Sequence, residues 1–201
     1  MEQIGLFPLG IVLLPTERIP LHIFEPRYQD LIGECLDEDS DFGLLYADED
    51  GVREVGTRAR VTEVLERLDD GRLNILVEGG ERFRVGRLTR GRSFLTAEVE
   101  PMLDEDHGPG AAAQRAIEAF RALVTLAGAE PDQHDESTPQ LSYALAAQVE
   151  LGAEAKQRLL EMRSEPERLV LVAELFDVVR TTLIAARDLN ERAKQNGSRL
   201  T

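Results

Sequence analysis

Several clusters hold side chains able to do chemistry. The densest is Glu25-Pro26-Arg27-Tyr28, where a carboxylate and a guanidinium flank a proline and could grip the termini or backbone of a peptide. The same residues also suit a structural role: Glu25 can accept N–H groups of a first helical turn, Arg27 can pair with a nearby acid, and Tyr28 can open a core stripe. Cys35 lies on that stripe with Leu31 and Ile32, amid Glu34, Asp37 and Glu38. Acids raise a thiol pKa, and no histidine is close in sequence, so the pattern favours a buried, inert thiol over a nucleophile. His107 beside Asp104 to Asp106, and His134 amid Asp132, Asp135 and Glu136, could hold a divalent ion loosely. Three scattered histidines do not make a ligand set, so no metal site and no cofactor is expected. The one basic run is Arg82, Arg84, Arg87, Arg90 and Arg92.

That run sits in an acidic chain. Asp and Glu number 38 against 23 Lys and Arg, a formal charge of −15 over 201 residues. Such a charge repels a phosphate backbone, so nucleic acid is not an expected partner, and an acidic stripe such as Asp37 to Asp41 or Asp48 to Asp50 is the expected neutraliser of the arginines. Only Lys156 and Lys194 are lysines, which leaves two candidates for any lysine-dependent catalysis. One cysteine cannot form an internal disulfide, and the start MEQIGLFPLG lacks a leader pattern, so a reducing, cytoplasmic setting is expected. No stretch approaches the ~18 consecutive apolar residues of a membrane span.

The elements that must position these residues fall into two parts. Residues 1–103 alternate short apolar runs with Pro and Gly, predicting strands at Ile4 to Leu6, Ile11 to Leu14, Leu21 to Phe24, Phe42 to Tyr46 and Val52 to Val55. A helix is predicted from Pro26, with Tyr28, Leu31, Ile32, Cys35 and Leu36 on one face. From Thr57 to Leu68 the apolar parity slips, which predicts a bulge near Thr62 or Glu63. Asp69-Asp70-Gly71 reads as a hairpin turn and Gly79-Gly80 as another reversal, before a last strand around Leu95 to Val99. These strands suggest a small, partly closed barrel. Asp104 to Gly110 reads as a linker. Residues 111–195 carry helical stripes: Ile117, Phe120 and Val124 up to Gly128; Leu141, Leu145 and Val149; Ala153 to Met162; and a long helix capped by Ser164 and Glu167 that runs to about Ala193. Together they suggest a helical bundle.

Seven blocks along this order are similar to a known family. Leu6-Phe7-Pro8-Leu9, Pro15, Leu21-His22-Ile23-Phe24-Glu25-Pro26-Arg27-Tyr28, Phe42-Gly43, Val55-Gly56-Thr57, Asp70-Gly71-Arg72 and Gly80-Glu81-Arg82-Phe83-Arg84 resemble the N-terminal substrate-recognition domain of the Lon proteases. Lys156-Gln157-Arg158-Leu159-Leu160-Glu161 and Glu167-Arg168-Leu169 extend the resemblance into the helical part.

The resemblance implies an α+β chain with an N-terminal PUA-like pseudo β-barrel and a C-terminal helical bundle. It implies recognition of polypeptide clients or a protein partner, as an adaptor or quality-control factor that works with a separate protease. A groove between barrel and bundle, lined by Phe24, Glu25, Arg27 and Tyr28, is the expected contact face. Phe7, Pro8, Leu9, Phe42, Gly43, Gly56, Thr57, Asp70, Gly71, Gly80, Arg82 and Phe83 are expected to be structural. The family's ATPase and Ser-Lys protease domains have no counterpart in these residues: there is no G-x-x-x-x-G-K-[ST] and no Gly-Lys pair, so no enzymatic activity is expected. A second reading, an RNA-contacting PUA-like protein, rests on the Arg82 to Arg92 run.

Overall fold

The computed structural model describes the backbone of residues 2–89, 91–105, 108 and 110–197, with side chains through Leu189. Its strands are β1 (Glu2–Leu9), β2 (Arg18–Ile23), β3 (Phe42–Asp48), β4 (Gly51–Arg67), β5 (Leu73–Thr89) and β6 (Leu95–Pro101). Its helices are α1 (Pro26–Glu38), α2 (Ala112–Ala127), α3 (Leu141–Ala146), α4 (Ala153–Glu161) and α5 (Glu165–Gly197). The sheet order is β2-β5-β4-β3-β1-β6, and β5 also pairs β6. Among the described strands, five therefore close on themselves while β2 hangs from β5 alone, and only the β1–β3 pairing is parallel. This is the expected α+β pseudo-barrel with a helical C-terminal part.

Phe7, Leu13, Ile23, Tyr28, Leu31, Ile32, Phe42, Leu44 and Ile75 form one barrel core, and Leu6, Leu45, Phe83, Ala97 and Val99 another. Pro26 begins α1, whose buried face is Tyr28, Leu31, Ile32 and Cys35, the predicted stripe. The register between β4 and β5 shifts from Val61 to Glu63, so a bulge lies at Thr62 as the parity slip requires.

Two expectations about the barrel are corrected. Ile11 to Leu14 are no strand. Val12, Leu13 and Leu14 are buried, but side chains rather than a strand ladder meet their backbone: Thr57 Oγ1 donates to the Leu13 carbonyl at 2.6 Å, and the Leu14 N–H donates to Glu17 Oε2 at 2.9 Å. Gly79-Gly80 is no reversal either, because β5 runs straight through it. The Thr16 N–H donates to the Gly79 carbonyl at 2.7 Å, and the Gly79 N–H to the Glu17 carbonyl at 2.9 Å. A Cβ at Gly79 would stand 2.1 Å from the Leu14 oxygen, so glycine is there to admit another stretch of backbone.

The chain divides into two compact units, Met1–Asp106 with Ala146–Ser164, and His107–Leu145 with Glu165–Thr201. The boundary expected from composition, a bundle over 111–195, thus differs from the structure: α4 groups with the strands. Polar side chains account for this. Lys156 pairs with Glu17, Gln157 Nε2 donates to the Val55 carbonyl at 3.2 Å, and Leu159 and Leu160 are buried. Asp106, His107 and Pro109 of the expected linker lie outside the described residues.

In the second unit Phe120 of α2 packs on Phe176 of α5, ring centroids 5.9 Å apart. Gly128, at φ +86, closes α2 where predicted. The expected stripe of Leu141, Leu145 and Val149 is shorter than its spacing suggested, since α3 stops at Ala146 and Val149 is outside it. Arg168 of α5 is fully buried. It donates to Glu165 at 2.5 Å and to Ser142 Oγ at 3.0 Å, and stands 4.6 Å over the Tyr143 ring. A buried guanidinium with this many partners fixes how α3 meets the start of α5.

Candidate functional site

Strand β2 alternates cleanly. Leu21 and Ile23 are buried, whereas Arg18, Pro20 and His22 face solvent, and Phe24 follows on the solvent parity at 59% exposure. An aromatic ring on the polar face of a strand contributes nothing to the core, so it is free to contact something else. Its ring stacks on His22 at a centroid distance of 5.9 Å and an interplanar angle of 19°.

His22 belongs to a polar row that crosses three strands. Asn74 of β5 donates from Nδ2 to Glu66 of β4 at 2.7 Å, and Asn74 Oδ1 lies 2.6 Å from His22 Nδ1. A carboxylate only accepts, which turns the Asn74 amide so that its oxygen faces the histidine, and the ring proton therefore sits on Nδ1. Beside the row lies an open concavity of about 580 Å³ lined by Pro20, Leu21, His22, Leu65, Glu66 and Asn74. Leu65, at 51% exposure, is its apolar wall. All of these residues lie in the first unit.

Behind Phe24 the strand turns into α1. Glu25 is the N-cap residue by position, yet its carboxylate caps no backbone N–H, correcting that expectation. It accepts instead from Arg27 Nε at 2.9 Å, and the Arg27 guanidinium lies 4.6 Å over the Tyr28 ring. Tyr28 is buried and stacks on Phe7 at 3.9 Å, and burial pushes its phenol pKa up, against the lowering effect of Arg27. Gln29 donates to the Phe24 carbonyl at 3.2 Å and meets the hairpin at Gly71. The structure therefore leaves Phe24 and the Glu25–Arg27 pair at the surface and places Tyr28, buried, under the Arg27 guanidinium. His22, Leu65, Glu66 and Asn74 were not anticipated. The readable signal was Phe24 itself, an aromatic on the polar parity of its strand.

The remaining motif residues sit within the barrel. Phe7 and Leu9 pack in the core beside Pro8, and Phe42 is fully buried. Gly43 and Gly56 flank the Phe83 ring, where a Cβ would stand 2.7 and 2.9 Å from its Cζ. The buried Thr57 holds Leu13. Asp70 accepts from both the backbone and the side chain of Arg72 across the turn at Gly71, and Gly80 lies beside Arg58.

The arginine run is reassigned. Arg82, expected to be structural, leaves the basic run: it is buried, donating through Nη1 to the carbonyls of Leu160 (2.7 Å) and Met162 (2.6 Å) and pairing with Asp104. Arg84 pairs with Glu54, Arg87 with Glu98 and Arg92 with Glu34, rather than with Asp37 to Asp41 or Asp48 to Asp50. Those acids serve other arginines: Asp41 meets Arg60, and Asp48 meets Arg53. Arg90 lies outside the described residues. The described members of the run are individually paired and the first is buried, so they offer no contiguous strip to a phosphate backbone.

Burial raises the pKa of the Cys35 thiol, and Asp41, Glu34 and Glu38 add to the effect against a hydrogen bond from Ser40. His134 packs edge-on against Phe120. No group of three or more His, Cys, Asp or Glu residues among the described residues is placed to hold a metal, and no described helix is long and apolar enough to cross a membrane.

Comparison with known proteins agrees with this architecture. Residues 3–177 match the family model described as the ATP-dependent protease La (LON) substrate-binding domain. Lon protease 1 of Hydrogenovibrio crunogenus is 24% identical over 92% of this chain and 25% of its own length. Lon protease of Escherichia coli is 25% identical over 96% of this chain and 27% of its own. The chain thus spans about a quarter of the length of the curated relatives it matches. Among solved structures, a Lon N-terminal domain protein from Xanthomonas campestris is 27% identical with a TM-score of 0.66, covering 84% of this chain and 95% of that one. The N-terminal domain of Mycobacterium avium complex Lon protease, at 18% identity, shares the fold with a TM-score of 0.67 over 88% of this chain and 98% of its own. The match takes in every strand and α1 to α4 with the first part of α5, and this chain belongs to the LON substrate-binding domains.

Proposed function

We propose that this domain recognises unfolded or weakly structured polypeptide at the surface centred on Phe24, with Leu65 as a second apolar contact. Glu25 and Arg27 form the rim, and the buried Tyr28 lies under the Arg27 guanidinium. The observation that carries this reading is the exposed Phe24, held against His22 on the solvent face of β2 beside an open concavity. Exposed apolar side chains on a rigid sheet suit ligands that expose apolar side chains of their own. The family's description as a substrate-binding domain supports the same reading. Bound polypeptide would pass to a protease, as an adaptor or quality-control factor does, and no step of ATP hydrolysis or peptide cleavage is assigned to these residues. A reducing, cytoplasmic setting belongs to the same proposal, supported by the single buried thiol.

The test is fluorescence anisotropy with a labelled, permanently unfolded model polypeptide. Wild-type chain should bind it, and Phe24→Ala or Leu65→Ala should weaken binding by roughly five- to thirty-fold, the range of an interface anchor. Wild-type chain that ignores unfolded polypeptide but captures a defined RNA or small metabolite would overturn the proposal.

A further inference from the structure

Strand β2 has one partner. It is bonded to β5 with Ile19 opposite Val77, Leu21 opposite Ile75 and Ile23 opposite Leu73, and no other described strand pairs with it. In an antiparallel ladder the N–H and C=O of one residue point to the same side, and the side alternates along the strand. Pro20 has no N–H, so the side bonded to β5 is that of Ile19, Leu21 and Ile23. The N–H and C=O of Arg18, the C=O of Pro20, and the N–H and C=O of His22 therefore turn to the free edge. The row ends at Phe24, whose carbonyl accepts from Gln29.

From this we infer, resting on the reading that Phe24 marks a polypeptide-binding surface, that the bound segment lies along β2 as an added strand. The sheet supplies main-chain hydrogen bonds that do not depend on client sequence. At a strand spacing of about 4.8 Å, every second client side chain falls beside Pro20, His22 and Phe24. An apolar or aromatic residue suits Phe24. The His22–Asn74–Glu66 row ends on a carboxylate and the chain carries −15, so charge complementarity selects a segment that is apolar with basic flanks. Pro20 deletes the central donor of this edge and so limits its pairing with other β edges.

The probe is a labelled peptide of about ten residues, alternating valine and threonine around one central phenylalanine with lysine at both ends. His22→Ala removes the ring but keeps the backbone N–H, whereas His22→Pro also removes the outward N–H and leaves the bonds to β5 untouched. Thermal melts of the two variants check folding. His22→Pro should bind the probe about three- to ten-fold more weakly than His22→Ala, the range of one hydrogen bond. Methylating the peptide nitrogens of one parity should abolish binding, and methylating the other parity should not. Equal binding by both variants and by all methylated peptides, with Phe24→Ala still weakening it, overturns strand addition and leaves polypeptide recognition standing. Failure of wild-type chain to bind any unfolded polypeptide overturns both. A concentration-dependent dimer lost in His22→Pro, with no effect on the peptide, assigns the edge to a second copy and overturns the client strand.

Discussion

The guanidinium of Arg82 in β5 donates to the carbonyl oxygen of Leu160 at the end of α4, 2.7 Å away and 78 residues further along the chain. The same Nη1 reaches the Met162 carbonyl, and Nη2 meets Asp104. One buried side chain thus satisfies carbonyls that a helix C-terminus leaves open and fastens α4 to the barrel.

Replacing it should be costly. Arg82→Ala strands two carbonyls and a carboxylate away from their partner, an expected loss of about 3 kcal/mol. Arg82→Lys restores the charge but not the fork, and should recover only part. Urea unfolding checks both, and limited proteolysis of Arg82→Ala should cut first within 146–164.

Gly79 and Gly80 are neighbours with opposite prospects. A Cβ at Gly79 would sit 2.1 Å from the Leu14 oxygen, whereas at Gly80 the nearest atom is the Arg58 oxygen at 3.6 Å. Gly79→Ala should destabilise by roughly 1–3 kcal/mol through overpacking against rigid backbone. Gly80→Ala should be near neutral. Paired thermal melts decide, and equal shifts would contradict the close-approach argument.

Several carboxyls are held below the ordinary range: Asp70 by the Arg72 side chain and backbone, Glu98 by Arg87, and Asp135 by Ser137. Asp48 joins them, because hydrogen bonds from the Asp50 N–H and Arg53 outweigh the opposing effect of desolvation. Folded values below unfolded ones make these groups stabilising above the unfolded pKa, roughly pH 4, and that contribution is lost as pH falls through the folded values. Tm should therefore fall steadily below about pH 4, with a shallower acid limb in Asp70→Asn. A Tm that stays flat on acidification would contradict this.

Cys35 should resist iodoacetamide at neutral pH in the folded chain and react fully in denaturant, since burial both hides the thiol and raises its pKa. Intact-mass spectrometry before and after denaturation checks this, and rapid native alkylation would count against a buried thiol.

What could be read without coordinates was local. The Tyr28, Leu31, Ile32, Cys35 stripe, the Thr62 bulge, the Gly71 turn and the Gly128 cap each depend on residues within a turn or two, where periodicity and φ preference act directly. At the candidate site the motif Phe24 to Tyr28 was legible in the same way. The His22–Asn74–Glu66 row was not, because it joins three strands whose pairing no local pattern specifies.

The sequence by itself determined most of the helical and extended segments, the acidic balance and the family blocks, though not the course of residues 11–14 or the end of α3. Tertiary structure alone decided three matters: that Arg82 is a buried clamp rather than part of a basic face, that Gly79 is a crossing point rather than a turn, and that α4 groups with the barrel. In each case the deciding atoms come from residues some 60 to 140 positions away. Burial and partner choice depend on which distant groups meet, and chain spacing does not encode that.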